Sequence, residues 1–382
     1  MTRDRACARF AATYGREPTV VIRAPGRVNL IGEHTDHQEG LVLPIAIDRA
    51  LWLALEPTPD ARVELMSEQA EGTVTVDLDQ VGERIDGWGV YLQAMAWALR
   101  DVLPLRGWRG AIDSDIPAGA GLSSSAAFEL AVARAWAALA ELGGWGSNWD
   151  PTTMARHAQR AENHWVGVAS GIMDQLTCAM GRADHALLID CRTLDVTHVT
   201  MPEELAVVIM DTGTRRELTG SAYNERQIEC QHAAAALGVA SLRDATLEQV
   251  ETRLDGPLRR RARHVVTENQ RVRAAVSAMR ASDAPALGRL LTAGHASMRD
   301  DFAASGPALD AIVELAAHAP GCYGARLTGA GFAGCAIALV HRAEVDAFCT
   351  AVGDGYHHET GTAAHLYVTA AADGANISGV SG

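Results

Sequence analysis

The run Ile116-Pro117-Ala118-Gly119-Ala120-Gly121-Leu122-Ser123-Ser124-Ser125-Ala126-Ala127 constrains this chain more than any other stretch. Two glycines and three serines lead directly into Phe128–Ala137, an alanine-rich segment with apolar residues at helical spacing, as at Leu130, Ala133 and Ala137. A glycine loop that opens into a helix presents unpaired backbone N–H groups and the positive end of the helix dipole. Phosphate is stabilised at such a place. An ordinary loop closed by a serine N-cap fits the same composition.

One absence narrows the chemistry. All thirty-three basic residues are arginine, and there is no lysine. A Walker A loop needs a lysine on the β- and γ-phosphates, and a protein kinase needs a lysine of its own. Neither mechanism is available, so a nucleotide held here rests on backbone dipoles, serine hydroxyls, a metal ion and arginine.

The 382 residues suffice for two domains with substantial cores. A formal charge of −14 argues against nonspecific nucleic-acid binding, which draws on a basic surface. It does not bear on a small anionic ligand in a locally positive site. Seven cysteines are scattered without CxxC pairs, which fits free thiols in a reducing compartment. No signal-peptide pattern and no membrane-spanning apolar run is visible, so a cytoplasmic protein without a membrane partner is expected.

Along the chain, residues 5–14 read as a short amphipathic helix. The segment from Val20 begins β-rich, is interrupted by Pro25, Gly26 and Gly32, and ends in Glu33, His34, Asp36 and His37. The interruptions predict a loop or bulge rather than one long strand. The four ionisable residues fit a metal cluster, a set of hydrogen-bond acceptors for sugar hydroxyls, or a solvated turn. Strands are expected at 41–47, 51–55, 63–66, 73–76, 110–115, 186–190, 205–210, 336–340 and 366–368. Helices are expected at 90–100, 151–164, 219–238 and 257–280. A second glycine-rich stretch spans 324–335, where tight turns alone would account for the glycines, and the small, polar tail from Ala371 reads as disordered.

Three stretches together resemble the galactokinases, within the GHMP family of small-molecule kinases. They are Gly26-Arg27-Val28-Asn29-Leu30-Ile31-Gly32-Glu33-His34-Thr35-Asp36, the run Pro117–Ala127, and Arg326-Leu327-Thr328-Gly329-Ala330-Gly331-Phe332-Ala333-Gly334-Cys335. Gly171-Ile172-Met173-Asp174-Gln175 and Ser221-Ala222-Tyr223-Asn224-Glu225-Arg226 also match, in the family's order.

The resemblance implies an α+β, two-domain GHMP kinase fold. Residues 1–200 would form a ribosomal-protein-S5-domain-2-like domain, and residues 201–382 a ferredoxin-like α/β sandwich, with the active site in the cleft between them. It implies ATP and Mg²⁺ as cofactors, a small-molecule sugar as partner, no nucleic acid, and a monomer or weak homo-oligomer. Asp174 would be the catalytic base toward the sugar's anomeric hydroxyl, with Arg27 stabilising charge. Glu33, His34, Thr35, Asp36, Gly171 and Tyr223 would hold the sugar. Gly119, Ala120, Gly121, Leu122, Ser123, Ser124 and Ser125 would cradle the nucleotide together with Ser67. Ser125 and Glu162 would ligate the metal, oxygen donors suiting a hard ion.

Two positions depart from the family. Galactokinases usually carry Tyr-Asn after Thr35-Asp36, whereas His37-Gln38 stands here. Galacturonate kinases carry a similar His-Gln pair, and a protonated His37 would suit a substrate carboxylate. Ala333 replaces a glycine more usual in the family. Phosphorylation of galactose to galactose 1-phosphate is the expected activity. A kinase for another galactose-configured sugar and a non-catalytic sugar sensor are the alternatives, and the intact Ser123-Ser124-Ser125 and Asp174 argue for catalysis.

Overall fold

A computed structural model describes residues 2–67, 69–70, 72–146, 149–215 and 219–380. Thirteen strands occur among them: β1 (Val20–Asn29), β2 (Leu41–Val42), β3 (Pro44–Pro57), β4 (Arg62–Ser67), β5 (Thr73–Asp77), β6 (Trp108–Ser114), β7 (His185–Asp190), β8 (Val196–Thr200), β9 (Leu205–Asp211), β10 (Cys322–Leu327), β11 (Cys335–His341), β12 (His365–Thr369) and β13 (Asn376–Val380). They form a six-stranded sheet in the order β13-β1-β3-β6-β4-β5, a four-stranded sheet β10-β11-β9-β12, and a three-stranded sheet β2-β7-β8. The six-stranded sheet is mixed, because β4 runs parallel to β6.

The helix that follows the glycine-serine loop, Ser124–Leu142, is buried on nearly every side from Ala126 to Ala140. Its alanines let it lie close against β1 and β3 at the centre of the larger core. In the other half, Gly256–Arg280 buries one stripe (Ala262, Val265, Val266, Val272, Val276 and Met279) at helical spacing. A second core gathers Met210, Leu242, Phe302, Leu327 and Phe348 around the four-stranded sheet. The mixed α and β layers agree with the expected fold class. A division at residues 200 and 201 remains a proposal.

Two local expectations change. The runs 41–47 and 51–55 are not separate strands: Pro44–Pro57 is one continuous strand, because β1 and β6 pair along both its edges. The described part of the tail is ordered, since β13 pairs with β1 and Ile377 stands opposite Ile22; residues 381 and 382 lie outside the described residues. A stretch of small polar residues carries no periodicity of its own. Its order comes from pairing with β1, more than three hundred residues earlier.

The bulge expected near Pro25 and Gly26 is present, as a register shift between Pro25 and Arg27 against β3. Gly26 is required there, because a Cβ would lie 2.7 Å from the Leu122 carbonyl oxygen. The phosphate-type loop therefore rests directly on β1, and the Arg27 N–H donates to that same carbonyl at 3.1 Å.

Candidate active site

The glycine-serine loop alternates through left-handed backbone, with φ of 67° at Gly119, 81° at Gly121 and 62° at Ser123. The second glycine-rich stretch is more than a set of tight turns, because it packs against this loop. Cβ atoms at Gly329 and Gly334 would come within 3.0 Å of the Gly121 oxygen and 2.8 Å of the Ala120 oxygen. Ala333 lies outside the positive-φ residues, so alanine carries no backbone penalty there.

Between the two loops lies a cavity of about 680 Å³. Asp174 enters it from the first turn of the helix Met173–Met180, where the helix dipole favours an anion. Arg27 grips the carboxylate with two hydrogen bonds, Nε to Oδ1 at 2.6 Å and Nη2 to Oδ2 at 2.5 Å. Its third nitrogen, Nη1, donates to the Gly121 carbonyl at 2.7 Å. One buried guanidinium thus ties the carboxylate to the phosphate-type loop.

At the other end of the cavity stand Glu33, His34, Asp36 and Tyr223. The His34 ring lies 5.3 Å from that of Tyr223 and 4.4 Å from that of Phe302. Burial pushes the Asp36 carboxyl up to about 6, with the Asp174 charge adding to the effect and the N–H groups of His37 and Met173 opposing it. Gly171 is obligatory beside it, because a Cβ would lie 1.8 Å from Asp36 Oδ2. Burial raises the Tyr223 phenol well above its ordinary value, with the Asp36 and Asp174 charges adding to the rise and the Gly171 main chain opposing it.

Glu33 is almost wholly buried, and burial pushes it up to about 7 although Arg326 Nη2 lies 2.7 Å from its Oε2. Arg326 is shared: its Nη1 binds Glu268 at 2.8 Å, and Arg271 adds a second cation there. Burial opposes ionisation of Glu268 as well, but the two arginines hold it well below the usual carboxylate range. The helix Gly256–Arg280 shapes the loop that carries Glu33. Glu268 accepts from the Gly32 N–H at 2.9 Å, and Asn269 accepts from the Leu41 N–H at 2.7 Å.

Ser125 and Glu162 both line the cavity, and the serine side chain favours the ionised form of the Glu162 carboxyl. Glu162 sits in a π-helical turn, Ala161–Val166, and accepts from Ser170 Oγ at 2.5 Å and Gln175 Nε2 at 2.9 Å. Burial raises its carboxyl even so, and the Asp174 charge adds to the rise. Glu162 and the Ser125 hydroxyl, both lining the cavity, offer oxygen donors that fit a hard divalent cation. No group of three or more His, Cys, Asp or Glu residues stands ready to hold a metal among the described residues. Any remaining ligands would be phosphate and water, as is usual for Mg²⁺.

Three expected residues do not reach the cavity. Thr35 is fully buried, and its hydroxyl donates to the Gly32 and Leu41 carbonyls at 2.8 and 2.7 Å. It shapes the loop from beneath. Ser67 ends β4, and its hydroxyl accepts from the N–H groups of Gln69 and Ala70. Ala120 is buried under the glycine-rich stretch. The other expected residues all face the cavity.

His37 is not a cation at neutral pH. Burial, with His264 nearby, pushes its imidazole down to about 4. It faces a smaller polar cavity behind Asp36 and Gly171, beside Arg156 and Arg192. Gln38 turns away from the main cavity: its side-chain oxygen accepts from the Leu242 N–H at 3.2 Å, and its carbonyl accepts from the Ser241 hydroxyl.

Sequence reasoning passed over Arg215, which stands at the mouth of the cavity with both Nη atoms on Asp211, at 2.7 and 2.8 Å. Its Nε donates to the Ala118 carbonyl at 3.2 Å, placing a second cation beside the loop. It also passed over the roles of Arg326, Glu268 and Ser170. No local pattern marks any of them, since each acts through a partner distant in sequence or inside an irregular turn.

Comparison with known proteins agrees with this geometry. The galactokinase galactose-binding signature matches residues 8–57, the GHMP kinases N terminal domain residues 90–182, and the GHMP kinases C terminal domain residues 275–358. A galactokinase of Roseiflexus sp. (strain RS-1) is 46% identical over 375 residues, covering 96% of this chain and 95% of its own. The crystal structure of Lactococcus lactis galactokinase complexed with galactose superposes with a TM-score of 0.91 at 36% identity, covering 97% of this chain and 98% of that one. A mevalonate kinase shares the fold at a TM-score of 0.67 and 19% identity, with 92% of this chain and 98% of that one covered. With the loop, the paired Asp174 and the Glu33–Asp36 segment all in one cleft, the chain belongs to the galactokinases of the GHMP kinase family.

Proposed function

We propose that this chain transfers the γ-phosphoryl group of ATP to the anomeric hydroxyl of D-galactose, giving α-D-galactose 1-phosphate and ADP. The observation that carries this reading is the bidentate Arg27–Asp174 pair, held between the phosphate-type loop and the acidic sugar end of one cavity. Asp174 accepts the proton of the anomeric hydroxyl as that oxygen attacks. Arg27 fixes the carboxylate in line and places positive charge beside the transferring group. Loop N–H groups and the hydroxyls of Ser124 and Ser125 bind the phosphates. Glu33, His34, Asp36 and Tyr223 hold the hexose hydroxyls. Glu162 and Ser125 would hold Mg²⁺, which when bound neutralises phosphate charge and orients the terminal group.

A neutral hexose suits the sugar end better than a sugar acid. Glu33 and Asp36 are acidic, His37 is neutral at pH 7, and among the described residues the arginines facing the cavity, Arg27 and Arg215, are engaged by Asp174 and Asp211. A coupled ADP-release assay across galactose, galacturonate, N-acetylgalactosamine, arabinose and glucose tests this. Galactose should exceed galacturonate by at least about tenfold in kcat/KM, the scale of one unfavourable charge contact. Faster turnover of galacturonate would reverse the assignment, and no turnover of any sugar despite ATP binding would mark a sensor.

Gly171→Ala tests the sugar end. Its Cβ forces Asp36 aside, so galactose affinity should fall about tenfold or more, while the ATP affinity stays within about threefold. Titration of each ligand separately reads the two effects, and unchanged galactose binding would remove Asp36 from the sugar site.

A further inference from the structure

Ser123 breaks a local rule. It occupies the N-cap of the helix Ser124–Leu142, where a serine ordinarily has extended backbone and its oxygen accepts from the first-turn N–H groups. Here φ is 62° and ψ is 45°, the left-handed region, and the side chain caps nothing. A residue other than glycine pays conformational energy for that backbone. What the geometry obtains is a hydroxyl aimed across the cavity, donating to Oδ2 of Asp174.

The acceptor sites of Asp174 can be counted. A carboxylate offers about four, two on each oxygen. Oδ2 accepts from Arg27 Nη2 and from Ser123 Oγ, which fills it. Among the described residues, Oδ1 accepts from Arg27 Nε alone, which leaves one site.

We propose that Ser123 is a positioning residue for the base: its hydroxyl occupies Oδ2 and locks the carboxylate plane, so that Oδ1 is the atom that receives the sugar proton. The inference rests on the reading of Asp174 as the base. In the step it serves, the anomeric O–H bond breaks and its proton passes to Oδ1. The sugar oxygen bonds to the γ-phosphorus, and the bond from that phosphorus to the β–γ bridging oxygen breaks with its electron pair leaving on ADP. Ser123 neither gains nor loses a proton overall. Its neighbours Ser124 and Ser125 are left to the nucleotide and the metal.

Two substitutions separate the hydroxyl from the backbone. Ser123→Ala removes the hydroxyl and keeps the left-handed strain, whereas Ser123→Gly removes both. Both variants should lose roughly 10- to 100-fold in kcat, the range of one hydrogen bond to an ionised group. Dissociation constants for galactose and for a non-hydrolysable ATP analogue should stay within about threefold of the parent's. Ser123→Gly should melt at or above the parent temperature, which shows that its loss of rate is not a loss of fold. In an Asp174→Asn background, followed with radiolabelled ATP over long incubation, Ser123→Ala should cost nothing further, because the hydroxyl acts through that carboxylate.

Parental kcat in both single variants would overturn the proposal. So would a loss confined to weaker binding of the ATP analogue, which would make Ser123 a phosphate contact alone. Undiminished turnover by Asp174→Asn would instead overturn the assignment of the base, and the two failures are told apart by which single variant keeps its rate.

Discussion

Asp174→Asn should lose at least about a thousandfold in kcat while binding galactose nearly as well as the parent. A positioned base contributes ~10²–10⁴-fold, and asparagine matches the shape of aspartate without its proton affinity. The amide oxygen still accepts from Arg27, so the cavity wall survives. What disappears is the only cavity carboxylate clamped by two hydrogen bonds to a buried arginine, among the described residues. Rapid-quench measurement of product formation, together with calorimetric titration of galactose, separates chemistry from binding. Turnover within tenfold of the parent would exclude Asp174 as an essential base.

The second large effect belongs to Arg27. Replacing it with methionine removes both bonds to Asp174 and the bond to the Gly121 carbonyl, so the carboxylate and the loop come loose from each other. A drop of about 10²–10³-fold in kcat is expected, on the scale of losing one preorganised electrostatic contact. Stability should fall too. Breaking a buried ion pair costs about 3–5 kcal/mol, and the 27% exposure of the Asp174 side chain discounts this to about 2–3 kcal/mol. The double variant Arg27→Met with Asp174→Asn is the sharper measurement. It should be more stable than Arg27→Met alone, because each partner's stability cost is chiefly the abandonment of the other, and its loss of rate should be smaller than the product of the two single losses. Simple addition of the two losses in both readouts would show that the residues act separately.

These expectations depend on contacts of very different sequence range, and that range governs how much could be read in advance. The glycine-serine loop, the alanine-rich helix after it and the bulge at Pro25 and Gly26 are all visible in the chain, because φ > 0 at glycine, helix-start chemistry and strand interruption are properties of a few adjacent residues. The Glu33–Asp36 segment is legible as acidic and histidine-rich, but its chemical use is not. Thr35 illustrates the difficulty. It stands inside the signature, yet the fold spends its hydroxyl on two main-chain carbonyls and turns it away from the cavity.

His37 shows the same limit for charge. Its residue type offers a cation near neutral pH, whereas burial pushes the imidazole down to about 4. Gln38 likewise faces the Ser241–Leu242 segment rather than the sugar end. The two positions that most suggested an acidic substrate therefore supply no positive charge to receive one.

Residue types and their local order determined the family, the phosphate-type loop and the identity of the paired Asp174. Tertiary structure alone decided that Arg326 is divided between Glu33 and Glu268, that Arg215 reaches the loop at Ala118, that Ser123 turns from its own helix toward a carboxylate 51 positions away, and that the final strand closes the first sheet. The physical reason is that backbone conformation follows from neighbouring residues. Proton affinity, ion pairing and the direction of a hydroxyl follow from what has been removed from water beside it, and those partners lie up to hundreds of residues apart.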